Sequence, residues 1–135
     1  MTAIVAAIAV RVAAQAPPVT SPSGVSQLEF KRLAAAQKIV IVDVRSADEF
    51  REGHIPRALS LPLETSRWPA EYDRTVAALK VTKKPVVLYC ACHGETQSIR
   101  AAYSLVEEGV EDARVLVGGF NDWVNDGNRI MTGPK

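Results

Sequence analysis

Short apolar runs alternate along this chain with segments whose apolar residues recur at helical spacing. Ile39 to Val42, Ala58 to Leu61, Val86 to Cys90 and Val115 to Val117 are the runs, and each is predicted to be a strand, the second the weakest. The hydrophobicity of Ile39 to Val42 is continuous rather than alternating, as in a strand covered on both faces of a parallel sheet. Between them, Ser26 and Glu29 have the spacing of a capping box, with Val25 and Phe30 placed as a hydrophobic staple, so a helix is predicted over 26–37. Ser46 and Glu49 repeat that spacing and start a short helix expected to stop near Gly53. Pro69 opens a helix over 69–79 whose buried stripe is Tyr72, Val76 and Leu79. A helix over 98–108 places Ile99, Ala102, Tyr103 and Val106 at i, i+3, i+4 and i+7 and ends at Gly109, a left-handed cap. A last short helix follows Gly118-Gly119.

Strands and helices alternating at this density predict an α/β fold: a mostly parallel central sheet flanked by helices on both faces. Ligands bind such sheets beyond the carboxyl ends of the strands. Two polar features fall at that edge: Asp43-Val44-Arg45 after the first run, and the loop from Cys92 to Ser98 after the third.

A length of 135 residues fits one domain. Three segments are expected: residues 1–16, apolar and alanine-rich with Arg11 the single charge; a linker over 17–25; and the domain over 26–135. The first segment is too short to cross a bilayer. Ala14-Gln15-Ala16 resembles a secretory cleavage site and favours a signal peptide, hence a periplasmic or secreted protein; Arg11 and the lack of a leading positive charge count against it. The alternative is an N-terminal helix of a cytoplasmic protein. Lys and Arg number 16 against 15 Asp and Glu, evenly scattered, so there is no basic stripe of the kind nucleic acid requires.

Both cysteines, Cys90 and Cys92, lie where the third run meets the loop before the 98–108 helix. The first turn of a helix leaves N–H groups unpaired and carries partial positive charge, so a thiol placed there ionises more readily and becomes nucleophilic. A cysteine that ends an apolar strand is otherwise a small core residue, a reading that suits Cys90 more than Cys92. A bridge between two cysteines one residue apart is expected to be strained, which leaves reactivity or metal binding as their special use.

Four segments in order and spacing carry a resemblance to the rhodanese superfamily of sulfurtransferase domains: Ile41 to Arg45; Glu49 to Ala58 with Pro62; the cysteine loop with Ala101-Ala102; and Gly118 to Trp123. Arg57 stands where that family often has glycine. The resemblance implies a parallel sheet flanked by helices and a nucleophilic cysteine opening a loop of converging amides. Family members commonly place the nucleophile six residues before a small polar residue, with two alanines beyond, and Cys92, Ser98, Ala101 and Ala102 fit that count. Cys90, preceded by Tyr89 as the family's nucleophile often is, is the alternative nucleophile. The implied activity is transfer of sulfane sulfur, from thiosulfate or a persulfide, through a persulfide on Cys92. His93, Gly94, Glu95, Thr96, Gln97 and Ser98 form the substrate loop, with Gly94 letting it curl; Asp43 and Arg45 support it from below. Thr96 and Ser98 are donors to the persulfide or helix caps. His93 is the histidine expected to meet substrate, His54 a hydrogen-bonded structural one, and Trp68 and Trp123 core or rim aromatics.

No metal or organic cofactor is implied. The expected partners are a small-molecule or protein sulfur donor and a thiol acceptor, with no nucleic acid and no stable membrane insertion; a monomer is expected. Glu95 and the absence of Lys and Arg between Cys92 and Ser98 predict slow turnover of thiosulfate. Two other readings remain. Phosphatases and arsenate reductases share the fold but need a longer loop closed by an arginine, whereas Gln97 and Ser98 stand there and Arg100 follows inside the helix. Cys90, Cys92 and His93 otherwise form a C-x-C-H cluster for Cu(I) or Zn(II), with His54 nearby, in a non-catalytic thiol module.

Overall fold

Val86, Val87, Leu88 and Tyr89 are all completely buried, so strand β4 (Val86–Tyr89) is covered on both faces. The computed structural model describes residues 22–63 and 69–134. β4 pairs in parallel with β2 (Val40–Asp43) on one side and β5 (Ala113–Leu116) on the other. β3 (Leu59–Ser60) extends the sheet beyond β2, and β1 (Gly24–Val25) extends it beyond β5, giving the all-parallel order β1-β5-β4-β2-β3. The α/β class and the sheet covered on both faces agree with the sequence pattern. Residues 1–16, most of the 17–25 linker and Trp68 lie outside the described residues.

One expectation needs correcting at the linker's end. Gly24 and Val25 are not linker: they pair with Val115 and Leu116, and Val25 is buried. Two residues flanked by Ser23 and Ser26 carry no periodicity, so nothing in the pattern marked them.

Among the described residues five α-helices cover the sheet: α1 (Gln27–Ala35), α2 (Ala47–Glu52), α3 (Pro69–Val81), α4 (Thr96–Glu107) and α5 (Gly119–Asn125). Ser46 and Glu49 form the full reciprocal capping box at α2. At α1 only half of it forms, the Ser26 hydroxyl accepting the Glu29 N–H at 3.2 Å. Strand alternation divides the core. Val86, Leu88 and Cys90 join the cluster beneath α3 and α4, with Val42, Val44, Val76, Leu79 and Leu105. Val87 and Tyr89 join the opposite cluster with Phe30, Phe50, Ile55 and Trp123.

The buried stripe of α4 is a second correction. Ser98, Ala101, Ala102 and Leu105 face the sheet, while Val106 is exposed and Ile99 and Tyr103 are half-buried. This set has the same i, i+3, i+4, i+7 spacing as the predicted one, one residue earlier. Two alanines and a serine let the helix sit close over the start of its own loop.

Candidate active site

The chain stays extended for a few residues past β4, and residues two apart in an extended chain point to the same side. Cys90 therefore continues the inward face of Val86 and Leu88, and Cys92 packs against the same cluster. The two sulfurs meet: Cys90 and Cys92 are joined by a disulfide, with Cα atoms 5.7 Å apart, inside the ordinary range for such bridges. The expectation that the two cysteines stay unbridged is thus corrected, because counting residues ignored the alternation that brings both side chains to one face. Cys90 is 1% exposed, whereas Cys92 is half-buried and lines an open cleft with His93, Gly94, Glu95, Gly118 and Phe120.

Beyond Cys92 the backbone curls. His93–Glu95 makes a single 3₁₀ turn in which Gly94 has φ +67° and Glu95 φ +54°, two successive left-handed residues. Gly94 has the curling role expected of it; Glu95 shares that role without being glycine. The turn aims the start of α4 back at the cysteine, and the Gln97 N–H donates to Cys92 Sγ at 3.4 Å. Glu95 reaches across to accept the Gly118 N–H at 2.8 Å, tying the loop to the head of α5. Thr96 is not a cap in the usual sense, since its hydroxyl donates to the His93 carbonyl at 3.3 Å. Ser98 Oγ is buried and makes no hydrogen bond with any described residue. His93 is exposed and lines the cleft beside Cys92.

At the ends of β2 and β4, where Tyr89 faces the cluster of Phe30 and Ile55, lies a buried polar cluster. Asp43 accepts two bonds from Arg45 Nε (3.0 and 3.2 Å) and one from Arg45 Nη2 (2.7 Å). Arg45 Nη2 also donates to the Gly53 carbonyl at 2.6 Å, and its guanidinium lies 3.8 Å from the centre of the Phe120 ring. Tyr89 closes the cluster, its hydroxyl donating to Asp43 at 2.7 Å and accepting the Ile55 N–H at 3.1 Å. Burial works against the Arg45 charge, but the hydrogen bonds and charge of Asp43 outweigh it and hold the guanidinium above its ordinary pKa. Burial first, then the charge of Asp43, raise the Tyr89 phenol well above its usual value.

Tyr72 on α3 is also raised, to about 12, by burial and then by its hydrogen bond to Glu108. Both tyrosines hold their protons longer folded than unfolded. The stability they contribute is therefore complete below the ordinary tyrosine pKa of 10.0 and is lost as pH climbs from there toward 12 for Tyr72 and further for Tyr89. Urea unfolding on either side of pH 10.0 is expected to show falling midpoints, with a shallower fall in Tyr72→Phe.

A rhodanese-like domain model matches residues 26–126 of the chain. The thiosulfate sulfurtransferase GlpE of Coxiella burnetii is 36% identical over 99 residues, which cover 73% of this chain and 84% of GlpE. This chain belongs to the rhodanese-like family. The thiosulfate:glutathione sulfurtransferase of Saccharomyces cerevisiae is 26% identical over 110 residues, covering 73% of this chain and 76% of the yeast protein. The crystal structure of SseA from Escherichia coli, a 3-mercaptopyruvate sulfotransferase with the rhodanese fold, superposes with a TM-score of 0.67 over 84% of this chain and 53% of SseA, at 22% identity, a likeness of fold.

The rhodanese-like domain brings Cys90 and Cys92 together just past β4 and joins Asp43 and Arg45 to Tyr89, which faces the opposite core cluster. His54 stands apart: it stacks on Phe50 in the opposite core cluster, and its Nδ1 lies 2.7 Å from the Phe50 carbonyl. It is not near the cysteines, so the four-residue metal cluster does not assemble; among the described residues no three His, Cys, Asp or Glu side chains gather around one point. Arg100 is exposed on α4. Arg57, in the family's glycine position, adopts the left-handed conformation that glycine would take freely (φ +69°). Sequence reasoning missed Tyr89 as the bond partner of Asp43, and Phe120 as the ring under Arg45. A phenol ending a wholly apolar strand was the available signal, since a buried hydroxyl needs a partner.

Gly119 fixes how α5 meets the loop. Its φ is +55°, and a Cβ there would stand 2.3 Å from the Cys90 carbonyl oxygen, which accepts the Phe120 N–H. Gly94, also left-handed, has open space where its Cβ would be. Gly94→Ala is expected to cost about 1 kcal/mol of stability, the strain of the conformation alone. Gly119→Ala, which adds a backbone collision, is expected to cost about 2 kcal/mol or more. Chemical denaturation of the two variants side by side checks the order.

Proposed function

We propose that this rhodanese-like domain is a sulfurtransferase whose sulfur carrier is Cys92 in its reduced form. The observation that carries the reading is the amide of Gln97 pointing at Cys92 Sγ from the first turn of α4, at the end of a loop curled by Gly94 and Glu95. Donors fixed in that position favour an anionic sulfur, and they serve the thiolate and the persulfide alike. The Cys90–Cys92 disulfide must first be reduced. The Cys92 thiolate then attacks the outer sulfur of thiosulfate; a bond forms between the two sulfurs, the old sulfur–sulfur bond breaks, and sulfite leaves with the electron pair. The persulfide anion passes its outer sulfur to cyanide or a thiol. Ser98 brings the one buried hydroxyl of the loop that has no partner among the described residues, and its role is to donate to the persulfide. Asp43 and Arg45 hold the scaffold. No cofactor enters the scheme.

The names of the relatives support thiosulfate as a donor, while the cleft argues that it is a poor one. Glu95 and Asp122 line the cleft, and no Lys or Arg does among the described residues. A dianionic donor meets like charge there. The kcat/KM for thiosulfate with cyanide is expected to fall below roughly 10⁶ M⁻¹s⁻¹, with an uncharged or protein-bound persulfide donor faster. Thiocyanate production by the reduced protein, with no phosphate released from an aryl phosphate, is the expected result. Phosphate release without thiocyanate would overturn the proposal in favour of the phosphatase reading.

A further inference from the structure

We infer that Cys90 is a resolving thiol that converts the loaded domain into a sulfide-releasing reductase, using a dithiol as the ultimate electron donor. The inference rests on the Cys92 persulfide of the reading above. What carries it is the connection between the two cysteines, which a core residue would not make: Cys90 lies behind Cys92, 1% exposed among Val42, Val44, Leu88 and Ala102, and is bonded to it.

Displacement at sulfur proceeds in line, with the attacking sulfur opposite the leaving one. A donor reaches Cys92 only from the cleft, so the transferred sulfur is delivered on the cleft side. Cys90 does not line the cleft and is packed in the core cluster, so it approaches Cys92 Sγ from the protein interior. That places Cys90 to attack the inner sulfur of the persulfide, whereas an external acceptor attacks the outer one. In the internal step the Cys90–Cys92 bond forms, the bond from Cys92 Sγ to the transferred sulfur breaks, and that sulfur leaves with the electron pair. It takes up the proton of the Cys90 thiol and a second proton from solvent, departing as hydrogen sulfide. Cys90 sulfur is oxidised and the transferred sulfur is reduced, so the step balances without a further oxidant. The product is the disulfide present in the structure.

Exposure then sets the direction of reduction. Cys92 is the half of the bridge that lines the cleft, so a dithiol attacks Cys92 and expels Cys90 as leaving group; its second thiol releases Cys92. The persulfide thus has two fates: transfer of sulfur to an acceptor, or reduction to sulfide when none arrives. The chemical class served is a sulfane sulfur donor on one side and a dithiol on the other.

The test is a single turnover. Wild-type protein is reduced, freed of reductant, mixed with one equivalent of thiosulfate and followed by sulfide measurement, thiol titration and intact mass. Sulfide is expected to appear in step with loss of the persulfide and with formation of the intramolecular disulfide, one for one. Cys90→Ser and Cys90→Ala are expected to hold the persulfide at least about tenfold longer. Persulfide lost equally fast in wild type and in either Cys90 variant, or sulfide released without disulfide, would overturn the role of Cys90 and leave the sulfurtransferase reading standing. If reduced wild type never acquires sulfur, both fall together. The wild-type stoichiometry decides the matter by itself should the Cys90 variants fail to fold.

Discussion

Cys92→Ser is expected to lower sulfur transfer by about 10³-fold or more, since deletion of a covalent nucleophile costs up to about 10⁶ in a well-studied protease. Serine keeps the shape of the loop and its contact with the Gln97 amide, but its hydroxyl does not ionise under conditions where a thiol does. The substitution also removes the bridge to Cys90, leaving that thiol buried beneath a loop of nearly unchanged form. If the nucleophile were Cys90, its continued presence would sustain transfer. Initial rates of thiocyanate formation by reduced wild type and reduced Cys92→Ser distinguish the two, and retention of more than a few per cent of the rate would contradict the assignment.

Asp43→Ala is expected to destabilise the fold by about 3–5 kcal/mol, a loss on the order of 10 °C or more in Tm. Asp43 is fully buried and is the acceptor for Arg45 and for the Tyr89 hydroxyl. Removing it strands a guanidinium that is 5% exposed and leaves the phenol with the Ile55 N–H as its remaining partner. The pair Asp112–Arg114 has the same sequence spacing and a similar contact of 2.8 Å, but its members are 44% and 34% exposed. Water screens it and receives the arginine once the partner is gone. Asp112→Ala is therefore expected to cost under about 1 kcal/mol. Urea unfolding of the two variants is an internal comparison, and equal losses would mean that burial of the Asp43 pair carries no special weight. Because this cluster is bonded to Gly53 and Ile55 and packs on Phe120, none of them in the 92–98 loop, Asp43→Ala is a scaffold lesion rather than a chemical one.

β2, β4 and β5 were legible because their apolar runs are short and continuous, and the helices because capping residues mark their starts, whereas the two-residue β1 was not. Ser26, Ser46 and Pro69 start helices as their chemistry predicts. The face that α4 turns inward was not legible. Two stripes one residue apart satisfy the same spacing, and apolarity favoured Ile99, Ala102, Tyr103 and Val106, whereas contact with the sheet selects the smaller Ser98, Ala101, Ala102 and Leu105. Smallness rather than hydrophobicity decided it, since the loop lies close over the helix start. In the loop, Gly94 announced a left-handed turn, but Glu95 at φ +54° gave no such sign. Glu95 also carries a tether to Gly118 that spans more than twenty positions of sequence and is visible only once β5 lies beside β4. The position of Cys92 at the head of a helix could be read from the chain. The bond to Cys90 could not, because separation along the sequence was weighed and the side each residue faces was not.

The central claim, that reduced Cys92 carries sulfur, is tested most directly by mass. Oxidised and freshly reduced protein are exposed briefly to thiosulfate or a small persulfide donor, quenched, and analysed intact and after digestion under non-reducing conditions. The account predicts one added sulfur on the reduced protein, located on Cys92, and none on the oxidised protein with its Cys90–Cys92 bridge. A reduced protein that stays unloaded with both donors and releases no sulfide, or that carries its sulfur on Cys90, would contradict it.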